Sequence, residues 1–328
     1  MHFSSVILLS TLLGCSAQFE TLCPGQPSDP WAQVRCPATA TCSPNGFSQG
    51  KGWGCCPFVN ATSCPNGYAC CPSGSTCALI SGSGYSAVYS CQGGSAAPNQ
   101  VSACPCKPGA AIAPSTTKKN VLVIGDSLSI GYTPSLAANL SDIAQVVHAP
   151  WDVTDGGAEE SRYFEQCVDY WLVSPSGLPW TPDVIVFNSG MHNLVVNGSD
   201  GHGTVPGQSD NAADYASHFQ AAVARLVQFA AASNGKTRLL MALTTPYLCS
   251  TQLDGIITGT LNPAATAVAQ GLGIPLIDPH AAIVAKCGSA PVQSCFGLQG
   301  CWCPHCPPVS AALSHTQASQ PLQPLFPN

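Results

Sequence analysis

Cysteine is the strongest constraint on this chain: there are twenty in 328 residues, crowded into the first third. From about residue 18 to residue 106 the sequence is dense in Cys, Pro, Gly and Ser, whereas from Asn120 onward Ala, Val, Leu and Ile take over. A stretch with so few large apolar side chains cannot offset its chain entropy by burial, so the first region has to be a framework of disulfides. Only the second region can bury an apolar core of ordinary size. Such a cysteine content implies an oxidising compartment. Residues 1–17 agree: an apolar segment of about ten residues followed by small residues reads as a secretory signal peptide cut near Ala17. The segment is too short for a membrane span. Losing Cys15 with the signal leaves an odd number, which means a free thiol, an intermolecular bridge or a different cleavage point. Three N-glycosylation sequons, at Asn60, Asn139 and Asn197, also suit a secreted chain.

Charge excludes several partners. The formal charge is −6, only 8% of residues are charged, and Lys118-Lys119 is the longest basic run. No electrostatic footprint for nucleic acid or an anionic membrane exists, so no nucleic-acid partner is expected.

Within the cysteine-rich region, 18–91, the centre reads Trp53-Gly54-Cys55-Cys56-Pro57, then Ala61, Cys64, and Cys70-Cys71-Pro72-Ser73-Gly74 up to Cys77. This pattern resembles a granulin repeat, and the resemblance implies a ladder of short β-hairpins held by disulfides. Cys42 and Cys64 stand alone where that family has vicinal pairs, and the outer spacings are longer, so a divergent repeat is implied and its pairing stays open. A glycan or protein contact through this module and a purely structural role are both open. Leu12-Leu13-Gly14-Cys15 also fits a bacterial lipoprotein box, but the eukaryotic look of the module favours the simple signal peptide. Residues 92–119 are rich in Pro, Ala, Ser and Gly and read as a linker, with Cys104 and Cys106 able to pin one end.

From Asn120 to the C-terminus the texture alternates. Apolar runs at 121–124, 144–148, 184–187, 239–243 and 274–277 predict buried strands, and amphipathic stretches at 158–172, 212–232 and 261–272 predict helices between them. That alternation predicts an α/β fold, a doubly wound three-layer sandwich with a mostly parallel sheet. Ligands of such sheets bind beyond the carboxyl ends of the strands. The first strand ends in Gly125-Asp126-Ser127-Leu128-Ser129. A serine where a buried strand turns into a helix sits beside helix-terminal N–H groups able to hold an oxyanion, which suits a nucleophile. The bland reading is a helix N-cap.

The string GDSLSIGYTP at that position resembles the opening block of SGNH/GDSL hydrolases, and the resemblance extends over 120 to about 316. It implies a flavodoxin-like sandwich, with Ser127 as nucleophile and its own N–H as one oxyanion donor. The family's second block implies a glycine donor, here Gly157, with Gly156 as the alternate and Asp155 in the usual Asn place. The third block, Gly-x-Asn-Asp, appears as Gly190-Met191-His192-Asn193, so His192 stands where the oxyanion Asn would be and a shift of one residue would offer Asn193 instead. The last block, Asp-x-x-His, implies His305 as the base with Ser310 at a following small-residue place, but Trp302 occupies the position of the Asp. A Ser–His dyad, an Asp from elsewhere and an inactive enzyme all remain open. His280, two residues after Asp278, is the rival base, and His305 is preferred. Cys295, Cys301, Cys303, His305 and Cys306 superficially suggest zinc; in a secreted chain, disulfides that could stiffen the His305 loop are preferred.

The implied activity is secreted serine esterase action, without metal or organic cofactor, on an ester substrate: an acylated glycan, a lipid or a small ester. The competing expectation is a secreted binding or signalling protein in which the granulin-like module acts and the hydrolase domain is a dead scaffold.

Overall fold

The computed structural model describes residues 19–25, 28, 34–37, 40–45, 52–56, 58–65, 70–81, 88–93, 106, 113–150, 157–158, 160–173, 180–196, 199–200, 212, 214–247 and 250–289. The signal segment, Asp155, Gly156, Asn197 and all residues from 290 on, His305 among them, lie outside these.

The N-terminal region is a run of short antiparallel pairs: β1 (Phe19–Leu22) with β2 (Arg35–Pro37), β3 (Thr41–Asn45) with β4 (Gly52–Cys56), β5 (Thr62–Ser63) with β6 (Cys70–Cys71), and β7 (Thr76–Ser81) with β8 (Val88–Gln92). Disulfides stitch each rung to the next: Cys23–Cys42, Cys36–Cys55, Cys56–Cys70, Cys64–Cys77 and Cys71–Cys91. The pairing left open by the sequence is thus an interleaved ladder. The buried residues of this region are mostly the cystines themselves, with Cys36, Cys56, Cys70 and Cys71 fully covered. An isolated two-stranded hairpin is marginal in water, and here the sulfurs take the place of an apolar core.

The second region follows the predicted alternation. Its sheet strands are β9 (Lys119–Ile124), β10 (Ala144–Ala149), β11 (Val184–Phe187), β14 (Arg238–Ala242) and β15 (Leu276–Ile277). They lie in the order β10-β9-β11-β14-β15, and every pairing is parallel. A small hairpin of β12 (Val195–Val196) and β13 (Ser199–Asp200) branches off after β11. The helices are α1 (Ser127–Asn139), α2 (Ser161–Val173), α3 (Tyr215–Ala232), α4 (Thr251–Ile256), α5 (Asn262–Leu272) and α6 (Pro279–Cys287). The fifth strand is shorter than its apolar run because Ile274 and Pro275 precede the pairing, which starts at Leu276.

Alternation along the strands makes the layers. Leu122 and Ile124 of β9, Ile185 and Phe187 of β11 and Met241 of β14 enter one core together with Phe164 and Trp171 of α2 and Phe219 and Leu226 of α3. Their neighbours Val121, Val123, Val184, Val186 and Leu240 enter a second core with Leu136 of α1. Side chains of successive strand residues point to opposite faces, so a sheet buried on both sides reads as an unbroken apolar run. The result is the expected three-layer sandwich.

The stretch expected as a linker is anchored where it is described. The Cys106 N–H donates to the Cys55 carbonyl at 2.9 Å and Cys55 returns the bond at 3.2 Å. Cys106 is also disulfide-bonded to Cys167 in the middle of α2. Nearer the sheet, Ser115 and Asn120 exchange hydrogen bonds, and Lys118 Nζ donates to the Ser141 carbonyl.

Candidate active site

With the strand order β10-β9-β11, the chain reverses its direction of travel across the sheet between β9 and β11. The crevice at that switch point is where doubly wound sheets bind ligands. Both strands send a candidate block into it: Gly125 to Ser127 after β9, and Asn188 to Asn193 after β11.

Ser127 is the first residue of α1 and is exposed. It is not the helix cap. Asp126 caps, its Oδ1 accepting the Leu128 N–H at 3.0 Å, so the bland reading of Ser127 as an N-cap does not hold. The buried Gly125-Asp126 pair that follows β9 brings the serine to the sheet edge at the positive end of the helix. Gly125 has no substitute there: a Cβ would lie 2.1 Å from Asn188 Oδ1 and 2.6 Å from Ser129 Oγ.

Gly157 is held directly against this turn. It pairs with Asp126 in an isolated antiparallel bridge, and the Ala158 N–H donates to the Gly125 carbonyl at 2.8 Å. Its φ of +68° is a conformation that glycine adopts freely, and a Cβ would sit 2.5 Å from that same carbonyl. Gly157 and Ser127 are therefore brought together at the edge of the sheet.

On the other side of the crevice, Met191, His192 and Asn193 form one 3-10 turn, and all three are buried. Asn193 commits its amide to α2: its Oδ1 accepts the Ser161 N–H at 3.2 Å and its Nδ2 donates to Ser161 Oγ at 3.1 Å. This contact ties the turn after β11 to the start of the helix after Gly157.

The rival base, His280, lies at the start of α6, after the edge strand β15. Its Nε2 is 3.2 Å from Asp254 Oδ1, and that oxygen also accepts the Tyr247 N–H at 2.9 Å. Asp278 does not orient His280; it caps α6 by accepting the Ala281 N–H at 2.8 Å. The sequence pairing of Asp278 with His280 is thus replaced by Asp254 with His280. His305, Trp302, Ser310 and the neighbouring cysteines fall outside the described residues. Cys287, at the end of α6, is disulfide-bonded.

A Ser–His contact that the sequence did not announce lies beneath the turn. Ser129 Oγ is 2.6 Å from His148 Nε2, and His148 Nδ1 donates to the Pro150 carbonyl at 2.8 Å. Burial pushes His148 down to about 4, which favours the neutral imidazole, and Ser129 Oγ, its neighbour at Nε2, donates to the Asp126 carbonyl at 2.7 Å. Both residues are shut off from solvent, which makes the pair a structural brace for α1 rather than a reacting one.

Comparison with known proteins matches residues 41–83 to the Granulin family. No curated protein matches the chain. Among solved structures it is similar to a GDSL-like lipase from Bacteroides thetaiotaomicron, with 16% identity over 51% of this chain and 72% of that one and a TM-score of 0.33. It is also similar to a lipase/acylhydrolase from Enterococcus faecalis, with 13% identity over 53% of this chain and 85% of that one and a TM-score of 0.36. The chain therefore combines a disulfide-held module, whose residues 41–83 match the Granulin family, with a doubly wound α/β sandwich, the two joined through Cys106.

Proposed function

We propose that this chain is a secreted serine esterase that hydrolyses carboxylic esters through an acyl-enzyme. The observation that carries the reading is the exposed Ser127 at the first position of α1, with the Gly157 backbone packed against it at the switch point of the sheet. In the reaction, His305 takes the proton of Ser127 as Oγ attacks the ester carbonyl. The oxyanion is met by the N–H groups of Ser127 and Gly157 and by an N–H of the His192 imidazole. Asn193 is the alternative donor; Ser161 engages both ends of its amide. The alcohol leaves with the proton from His305, and water, deprotonated by the same imidazole, releases the acid. The substrate is an acyl or acetyl ester on an extracellular glycan, a lipid or a small ester; secretion favours the glycan.

A second reading, an inactive scaffold behind a working granulin-like module, is favoured by one feature: Trp302 stands where the family has the orienting Asp. A fluorophosphonate probe separates the two. The parent chain should label and Ser127→Ala should not; an unlabelled parent means the scaffold. For the base, His305→Ala should lower turnover of a soluble ester by about two to four orders of magnitude, the usual general-base contribution. His280→Ala, which leaves Asp254 held by Tyr247, should do far less. Equal losses in the two variants would overturn the assignment of His305.

A further inference from the structure

Asp126 is fully buried beside the exposed Ser127, and among the described residues no cation pairs with it. Its Oδ1 is well supplied, accepting the Leu128 N–H at 3.0 Å and the Asn188 Nδ2–H at 3.0 Å. Its Oδ2 is buried and forms no hydrogen bond of full geometry, although the N–H groups of Met191 and Ser129 also act on this carboxyl. Asn188 carries the complementary defect: its Nδ2 donates to Asp126 while its Oδ1 is buried and unpartnered. Two buried acceptors without a well-formed bond, one on each partner of an existing bond, are an arrangement that one added proton would complete. A buried oxygen left unpaired costs about 1–3 kcal/mol, and more if charged.

We propose that Asp126 is held as a neutral carboxylic acid in a reciprocal pair with the Asn188 carboxamide, and that this pair is a positioning element locking the Ser127 turn to the turn after β11. Asn188 Nδ2–H donates to Asp126 Oδ1, and the acid proton on Oδ2 is donated to Asn188 Oδ1, so both orphans are satisfied by one proton. Gly125 is part of the device, since only a residue without Cβ admits Asn188 Oδ1 so close.

The surroundings agree. Burial raises the Asp126 carboxyl above the ordinary Asp range, against the opposing pull of Asn188 and of the N–H groups of Leu128, Met191 and Ser129. The titratable groups that sense this carboxyl are Tyr132 of α1 and Tyr215 of α3, both pushed up chiefly by burial and neutral at physiological pH. The nearby His148, reached through Ser129, is neutral as well. No positive group among these offsets a carboxylate. A neutral acid also keeps negative charge away from the place where, in the esterase reading, the oxyanion develops; the protonation itself does not depend on that reading.

Infrared spectroscopy of the intact, disulfide-bonded chain at pH 7 tests the proposal without any activity. The carbonyl band of a protonated carboxyl should be present in the parent and in Glu160→Gln, the other buried carboxyl among the described residues, and absent in Asp126→Asn. Absence of the band in the parent, or its survival in Asp126→Asn, overturns the proposal. Stability against pH gives the second readout. A folded pKa above the unfolded value of about 3.9 means that the native state keeps a proton the unfolded chain has lost, so the stabilisation is full at low pH and declines as pH rises. The urea midpoint of the parent should therefore fall relative to Asp126→Asn from about pH 4 upward. A difference of the opposite sign means a carboxylate and overturns the proposal, as does failure of Asp126→Asn to fold, since the amide supplies the same two hydrogen bonds. If the chain also labels with fluorophosphonate, the labelling rate should decline at high pH in the parent through a limb that Asp126→Asn lacks.

Discussion

Two regions of one chain solve the same entropic problem by opposite means. In the granulin-like module the buried residues are mostly cystines on paired hairpins, whereas in the sandwich they are mostly branched and aromatic side chains on a five-stranded parallel sheet. The module's stability resides mainly in restriction of its unfolded state, and the sandwich's in burial of apolar surface in its folded state. Conditions that act on one should therefore pass the other by.

The harshest way to break this contrast is reduction. Full reduction with a dithiol should abolish the fold of the module while the helical circular dichroism of the sandwich persists, since Cys167, released from Cys106, can remain in its core as a small apolar side chain. Loss of the helical signal together with the module would show that Cys106–Cys167 carries the sandwich as well. A substitution in the apolar core sharpens the contrast from the other side. Phe187→Ala removes a fully buried ring that meets both Phe164 and Phe219, and should cost the sandwich about 3–5 kcal/mol in urea unfolding. The same variant should leave the module's resistance to proteolysis unchanged. Acid should produce the smallest effect. His148 has a folded pKa of about 4 against an unfolded value of 6.5, so the unfolded chain binds the proton first and the stability present above about pH 6.5 is lost as pH falls toward 4. The loss should reach about 3 kcal/mol for the sandwich and disappear in His148→Gln. The module contains no histidine and should be flat over that window; a matching acid transition in the module would break the comparison.

How much could be read in advance follows the same divide. The strands of the sandwich were legible because two-sided burial turns each into a short apolar run, and 184–187 matched β11 residue for residue. Ser127 was legible as the residue after such a run. Its alternative reading as a helix cap could not be settled from the sequence, because Asp and Ser are both good caps and only the conformation of Asp126 and its bond to Leu128 decide between them. Contacts between residues distant in sequence left no local trace: the Asp254–His280 pair, the Ser161–Asn193 clamp and the Cys106–Cys167 bridge join elements whose neighbourhood is set by sheet order. Disulfide partners in the module were hidden for the same reason, since spacing permits many pairings and only the hairpin stack selects one.

Cys106 has a further consequence for anything the module binds. A free, Ser- and Gly-rich tether about thirty residues long would let its two ends wander about 30 Å apart, diluting a bound target over that whole volume. With Cys106 hydrogen-bonded to Cys55 and covalently joined to Cys167, the leash is reduced to a single shared residue. A polymer gripped by the module would then meet the helix beginning at Ser161 with a fixed offset, and its effective concentration at the crevice would be set by geometry rather than by diffusion of a tether. Cutting one sulfur bond would turn a rigid mount back into a float.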